Sequence, residues 1–557
     1  MKWNKRTTRD LSRRDFVKTT TVGIGATVLT GVGARDARAG QAPRSWDRTA
    51  DVVIIGAGAT GLPAAIEAAE HGASVIVVEQ NFDVGGQAIQ SGANLPLGGG
   101  TTLQKKYGIE DSADRYFEDL IRNPDYRYSD RDLLRVFSDW SAPTFEWLLA
   151  HGIEVPDRAP RGDTVGRTQT LVWTGGASAV SPTGAPGTAL VRPLEAAARK
   201  LGVQILLAHR MTTIIRERPF SGQVFGVAAT HQGKTVHLQA GKGVIIGTGG
   251  HASNVEFRRM FDPRITEEYQ VVGEPYGSRT GDGEIAALQI GAAFWATANQ
   301  TLERGQALSK GDQIGCQFTN LTPGNYLGPL SKIAASPIFD RIRAVGLTVK
   351  DYQNLIHVNR LGRRFVNETA SGYEWITPCM AADGGASNGG GPIWAIFDAD
   401  AVKREDWVCQ PPWVDPGGWF FTGSTLAELA SKIENKYQKQ PMPARALEEA
   451  VARYNSFVDA GEDADFGKPS PKYKIQTSPF YAAWGTPCAD ESLTGLRINA
   501  RSQVIDMYGQ VIPGLYCGGE SAGGFNMHGL ARCMIQGRIA GRDVAQLNKS
   551  LFVGKRA

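Results

Sequence analysis

Val52-Val53-Ile54-Ile55-Gly56-Ala57-Gly58-Ala59-Thr60-Gly61, then an alanine-rich run to Glu70, then Val75-Ile76-Val77-Val78-Glu79: this stretch decides the fold. It writes a strand, a glycine turn, a helix and a second strand, the βαβ unit that binds nucleotides. Gly56 allows the tight turn, Gly58 lets the backbone approach a pyrophosphate, and Gly61 lets helix and strand pack closely. The pyrophosphate sits on the helix N-terminus, where unpaired N–H groups and the positive dipole end meet it. Glu79 lies eighteen residues after Gly61 and ends the second strand, where its carboxylate can accept from a ribose hydroxyl.

The chain's length of 557 residues predicts two domains or one interrupted domain. Its formal charge of +4 is misleading, because residues 1–39 hold nine Lys or Arg against three Asp, and without them the charge is −2. The rest of the chain therefore offers no basic surface for nucleic acid or an anionic membrane. Residues 1–39 read as an export signal. Ser12-Arg13-Arg14-Asp15-Phe16-Val17-Lys18 looks like a twin-arginine motif, Val22 to Val32 is short and weakly apolar, and Ala37-Arg38-Ala39 is a cleavage site. That route carries folded proteins and suits one that takes up its cofactor in the cytoplasm, so the expected location is the periplasm, with no stable membrane insertion. The six cysteines form no CxxC or CxxCH, which argues against an iron–sulfur cluster, a zinc site or covalent haem.

Beyond Glu79 the loop Asp83-Val84-Gly85-Gly86-Gln87, Ser91-Gly92-Ala93-Asn94 and Gly98 to Gly100 is built for backbone contact with a large flat ligand. Apolar spacing predicts helix over 111–150 and 190–200, and strands at Val203–Leu207, Val224–Thr230 and Thr235–Leu238. Val244-Ile245-Ile246 runs into a second glycine turn, Gly247-Thr248-Gly249-Gly250, and Thr280-Gly281-Asp282-Gly283 opens a helix expected to end near Ala293. From 297 to 489 proline, glycine and tryptophan rise. This segment reads as an inserted domain, with helices at 424–437 and 443–459 and a hairpin from Ile356 to Glu368. Ile512 to Gly518-Gly519-Glu520 and the helix from Gly529 to Leu547 return to the first plan. The expected architecture is α/β: a Rossmann-like domain over 45–296 and 490–557, interrupted by an α+β capping domain over 297–489.

Together, Val52–Gly61, Glu79–Gly86, Val244–Gly250, Gly281–Gly291, Val358-Asn359 with Gly362–Glu368, and Ile512–Glu520 with Gly537-Arg538-Ile539-Ala540-Gly541 resemble the fumarate reductase/succinate dehydrogenase flavoprotein family. That family includes the 3-ketosteroid Δ1-dehydrogenases and urocanate reductase. The resemblance implies FAD under a cap, held by Gly56, Gly58, Ala59, Gly61, Glu79, Gln80, Gly85, Gly86, Ser91, Gly92, Ala93, Thr248, Gly249, Gly250, Asp282, Gly519 and Glu520. It implies hydride transfer between flavin N5 and a C–C bond next to a carbonyl or carboxylate, with a separate cytochrome or quinone-linked electron carrier. Members with covalent flavin carry a His just before the first Gly-Gly pair. Here Asp83-Val84 stand there and the nearest upstream His is His71, so non-covalent FAD is expected.

The chain also departs from the family. Fumarate reductases have an arginine proton donor where this chain has Gly372, a His-Pro-Thr where it has Ala298 to Thr301, a His near Glu491, and a carboxylate-clamping Arg segment that is missing here. Without those groups two buried carboxylates lack cationic partners, so fumarate is not the expected substrate. The candidate proton-transfer residue is Tyr373, one residue later than the tyrosine of the ketosteroid dehydrogenases; packing beside Trp375 is its other reading. His528 and Arg532, at i and i+4, are candidates for moving a proton and holding a carboxylate or enolate, or else for capping a helix and pairing with a surface acid. Arg363 and Arg364 read as hairpin surface charges, or one of them as reaching the cap interface, and the tryptophans from 375 to 419 as cap core, or, if one ring lines the pocket, as a sign of a larger, flatter or aromatic substrate. Two alternatives stand beside the oxidoreductase reading: a 3-ketosteroid Δ1-dehydrogenase-like enzyme, and a flavin-binding protein without turnover.

Overall fold

A computed structural model describes residues 43–123, 126, 129–160, 186–274, 277–295, 306–311, 313–317, 344–382, 390–525 and 529–547. Residues 1–39, read above as an export signal, the Ala298 to Thr301 stretch and His528 lie outside these residues. The nucleotide-type sheet uses β1 (Arg48–Ile55), β2 (Val75–Val78), β3 (Gln204–Leu206), β4 (Arg210–Arg218), β5 (Ser221–His231), β6 (Lys234–Ile246), β7 (Gln503–Ile505) and β8 (Val511–Cys517). Its order is β7-β8-β6-β1-β2-β3, with β4 and β5 attached through β6. The strands β8, β6, β1, β2 and β3 run parallel. The ends of β1 and β6 and all of β2 are buried on both faces, which is why Val52–Ile55, Val244–Ile246 and Val75–Val78 read as unbroken Val/Ile runs. The helices α1 (Gly61–Glu70), α2 (Asp282–Gln289) and α3 (Leu530–Ala545) carry the glycine motifs.

The Gly537-Arg538-Ile539-Ala540-Gly541 motif explains how α3 crosses α1. A Cβ at Gly537 would meet the Thr60 carbonyl oxygen at 2.3 Å, and one at Gly541 the Ala64 oxygen at 2.3 Å, so the helices touch backbone to backbone. Between the glycines Arg538 turns inward to Glu67, at 2.6 Å from Nε, and lies over the Trp147 ring at 4.8 Å.

Several boundaries differ from the sequence reading. The expected strands at Thr235–Leu238 and Val244–Ile246 are one thirteen-residue strand, β6, whose first half pairs antiparallel with β5 and whose second half lies between β1 and β8. The hairpin partner β4 was not foreseen. The helix over 111–150 is two, Ala113–Arg122 and Arg131–Ala150, split where Asn123 precedes a proline and takes extended backbone. The helix α2 stops at Gln289, not near Ala293. A Schellman turn closes it, with Gly291 N–H donating to Leu288 and Ala292 N–H to Ala287.

Between β6 and β7 in sequence, Ile356–Asn359, Ile393–Asp398, Phe480–Trp484 and Phe420–Gly423 form a second, antiparallel sheet in that spatial order. Helices Leu426–Lys432 and Ala444–Ala460 cover it, the first shorter than expected because Asn435 ties the following turn through Tyr437 and Gln438 N–H. Trp484 packs edge-to-face on Trp394 and Trp419, with centroids 5.3 and 5.0 Å away, so these rings are core as expected. The predicted hairpin after Ile356 has one true strand, and its return is a single bridge from Val358 to Arg364. Contrary to the expected surface charge, Arg364 is buried, bonded to Glu368 at 2.7 and 2.8 Å and to Asp463 at 2.7 Å. A sheet of three short strands joins the two parts: Gln306–Ser309 antiparallel to Cys488–Ser492, itself parallel to Gln270–Val271. Among the described residues no helix is long and apolar enough to cross a membrane.

Candidate functional site

The glycine turns converge on a cavity of about 670 Å³, well within the range of cofactor sites. Gly56 anchors it: its φ of 97° and the 2.3 Å between a hypothetical Cβ and the Gly247 oxygen admit no side chain, so the two glycine turns lie against each other. The next glycine points the other way. A Cβ on Gly58 would meet nothing nearer than the Gly85 oxygen at 3.7 Å, and Gly58 lines open space. The first turn of α1 has no side-chain cap, leaving N–H groups and the positive helix end for an anion.

From the first βαβ unit, Gly56, Gly58, Ala59, Glu79 and Gln80 line the cavity. Glu79 accepts N–H bonds from Ala57 and Asn81, both at 2.8 Å; burial raises its proton affinity and those bonds oppose the rise. Gly85, Gly86, Ser91 and Gly92 form one wall, and Thr248 and Gly249 another. Asp282 lines it too, held by Arg210 at 2.6 and 2.9 Å and by Thr280 at 2.8 Å. At the far end stand Glu520 and the start of α3, with Gly529, Leu530 and Cys533. Burial raises the Glu520 proton affinity, opposed chiefly by Arg279, which reaches it at 3.0 Å.

Four sequence-predicted contacts lie behind the wall. Gly61 and Gly519 provide close packing, since a Cβ would stand 1.8 Å from the Gly56 oxygen and 2.4 Å from Thr60 Oγ1. Gly250 packs on Ser492, and Ala93 is fully buried with φ 51°. Tyr373 opens the helix Tyr373–Cys379, after Gly372 at φ 53°. Arg532 is fully buried and does not line the cavity. Its Nη1 donates to Phe525 at 2.6 Å, and Nε and Nη2 have no partner among the described residues.

Sequence reading missed Arg279, Arg210 and His209, and it named Glu491 only as a departure; all four line the cavity. Arg279 is the most connected, donating to the carbonyls of Asp490 and Val272 as well as to Glu520. Its place three residues before Asp282 was the available signal. The residues suit a dinucleotide: a glycine-lined cavity, an uncapped helix N-terminus, and buried Arg279 Nε, Gln87 Oε1 and Gln90 Oε1 without protein partners among the described residues.

Fold and cavity thus define a dinucleotide-binding α/β protein with a second domain inserted in it. The family described as "FAD binding domain" matches residues 51–309 and 336–533, and the chain belongs to it, among the fumarate reductase/succinate dehydrogenase flavoproteins. The chain is 28% identical over 515 residues to "Fumarate reductase (cytochrome)" of Shewanella frigidimarina, covering 90% of this chain and 78% of that protein. It is 27% identical over 528 residues to "Vinyl phenol reductase" of Lactiplantibacillus plantarum, covering 89% of this chain and 96% of that one. Among solved structures, the open conformation of a flavocytochrome c3 fumarate reductase superposes with a TM-score of 0.66 at 21% identity, covering 97% of this chain and 82% of that one. This is an FAD-dependent oxidoreductase.

Proposed function

We propose that the protein moves hydride equivalents to or from a carbon–carbon bond conjugated to a carbonyl or carboxylate, on a substrate other than a C4 dicarboxylate. When bound, FAD supplies hydride transfer at N5. The glycine walls and the α1 N-terminus would hold its diphosphate and Glu79 and Asp282 its sugar hydroxyls, with Glu520 and Arg279 closing the wall toward α3. One observation carries the substrate reading. Both arginines that line the cavity are engaged by carboxylates, Arg210 by Asp282 and Arg279 by Glu520, so no guanidinium of the described cavity wall is left to meet two substrate carboxylates. Tyr373 is the proton-transfer residue of this reading, at the helix start that follows Gly372, where fumarate reductases carry arginine. His528 assists at the neighbouring carbon, and Arg532, buried behind the cavity wall, supports the site from there.

The FAD is non-covalent, since Asp83 before the first Gly-Gly pair is bound to Arg192 at 2.6 and 2.8 Å and no His stands there. The insert over 297–489 serves as the cap. The Arg13-Arg14 motif directs the folded holoprotein through the twin-arginine machinery to the periplasm, where a cytochrome or quinone-linked carrier exchanges electrons with it.

To test this, the FAD-loaded protein is reduced under anaerobic conditions and mixed with fumarate, acrylate, urocanate, cinnamate, 4-vinylphenol and a 3-ketosteroid enone. A mono-acid or neutral acceptor should reoxidise the flavin at least about tenfold faster than fumarate, and Tyr373→Phe should slow turnover by about 10²–10⁴-fold. Fumarate as the fastest acceptor, or none at all, sinks the reading. Flavin bleaching by a saturated 3-ketosteroid would favour the dehydrogenase direction, for which the nearby Tyr373 is the supporting feature.

A further inference from the structure

The turn that carries Tyr373 stands on a buried ionic quartet. Arg364 grips Glu368 through two hydrogen bonds and reaches Asp463 with the same Nη2. Lys468 lies 3.2 Å from Glu368 and donates to the Leu355 oxygen at 2.8 Å. All four side chains are at most 5% exposed, and two positive charges face two negative ones. Burial alone would raise the Glu368 proton affinity; Lys468 and Arg364 override it and hold that carboxyl at about 2. Above the quartet the backbone folds tightly, with Ala370 N–H on the Asn367 oxygen and Asn367 Oδ1 accepting both N–H and hydroxyl of Thr369.

Lys310 ties this turn to the cavity wall. Lys310 donates to the Glu368 and Ala370 carbonyl oxygens, the latter at 3.1 Å, and its ammonium lies 3.3 Å above the Tyr352 ring. The Tyr352 hydroxyl in turn donates to the Gly311 oxygen at 2.8 Å, fixing the backbone beside the lysine. Lys310 directly follows Gln306–Ser309, which pairs with Cys488–Ser492, where Ser309 opposes Cys488 and Ala307 opposes Glu491. Asp490 and Glu491 of that partner strand line the cavity. The ammonium therefore bridges the carbonyls before Tyr373 and the strand pair at the far end of the cofactor site.

We propose that Lys310 is a positioning residue: it sets the Glu368–Gly372 turn, and with it the start of the helix Tyr373–Cys379, against the strand pair whose Asp490 and Glu491 line the cofactor cavity. This rests on the reading of Tyr373 as the proton-transfer residue. Removing the ammonium leaves both sheets and the ionic quartet in place but frees two carbonyls whose direction sets the start of the helix Tyr373–Cys379. A shift of about 1 Å in a reacting group costs up to about 10²-fold in rate.

The test uses the FAD-loaded full chain with Lys310→Met, Lys310→Arg and Tyr373→Phe, the acceptor that reoxidises wild type fastest in the panel above, and hydrogen exchange of peptides over 366–380. Lys310→Met should keep FAD stoichiometry, melting temperature and substrate KM near wild type, lower kcat at least about tenfold, and speed exchange over 366–380. Its kcat should retain the basic limb of the pH profile, which Tyr373→Phe should abolish. Lys310→Arg, which can donate to both carbonyls, should recover most of the rate. Lys310→Met with full kcat beside an inactive Tyr373→Phe overturns the positioning role and leaves Tyr373 standing. Loss of FAD or of folding in Lys310→Met overturns it as well, by making Lys310 merely structural. A fully active Tyr373→Phe removes the underlying reading, and the positioning role with it.

Discussion

Replacing His357 by phenylalanine should flatten the acid limb of the protein's stability. The imidazole is fully buried, with ring centroids 6.1 Å from Tyr352 and 5.5 Å from Trp375. Burial first, and then the charge of Lys310, push its proton affinity down from 6.5 to about 3. Between those values the unfolded chain binds a proton that the folded protein refuses, so this contribution is complete above about pH 6.5 and is lost as pH falls toward 3. At about pH 4.5 the interval is two pH units at about 1.4 kcal/mol each, roughly 3 kcal/mol. Glu368 acts lower, because its depressed proton affinity stabilises the fold above about 4.5 and fades only between 4.5 and about 2. Comparing about pH 7.5 with about pH 4.5 therefore isolates the histidine. For a cooperative unit of 150–250 residues, roughly 3 kcal/mol is about 6–12 °C in Tm. Calorimetry on the holoprotein should show the wild-type Tm falling by that much more than the His357→Phe Tm over the same interval. Parallel falls in the two proteins would refute the reasoning.

Gly58→Val should fold, because a Cβ there finds open space, yet bind FAD at least about 100-fold more weakly by flavin fluorescence titration. Gly56→Ala, which puts a Cβ 2.3 Å from the Gly247 oxygen at a φ of 97°, should instead lower Tm sharply before any cofactor is added. Arg364→Met leaves Glu368 and Asp463 without their shared cation and should cost about 3–5 kcal/mol, read as a loss of Tm near neutral pH. Arg279→Met should weaken FAD binding by about tenfold or more and also lower the apoprotein Tm, since it leaves Glu520 at the wall without its cation.

The nucleotide half was legible because a parallel strand covered on both faces must be apolar along its length, and Val52 to Ile55 and Val75 to Val78 show this without interruption. The length of β6 was hidden, because Gly241-Lys242-Gly243 looks like a break in sequence although the backbone continues through it from one set of partners to another. Arg364 was misread because a buried arginine and an exposed one have the same neighbours in sequence. Its partner Asp463 lies 99 residues away and becomes visible only in three dimensions. Arg279 escaped for the same reason, its contacts reaching Asp490 and Glu520. Gly61 packs helix on strand as its place in the motif implies, and Gly519 plays a similar packing part against Thr60.

The placement of β8 has a consequence for biosynthesis. This strand, Val511–Cys517, fills the side of β6 opposite β1, and the residues just after it, Glu520 and Leu530, close the far wall of the cleft. A nascent polypeptide emerging from the ribosome has already made the pyrophosphate turn, but its central strand keeps one edge bare until nearly everything described has been translated. Yellow colour is therefore a late event, and it certifies a finished molecule. Prematurely terminated products should stay pale, expose an unpaired edge, and be sorted away from functional copies by that difference alone.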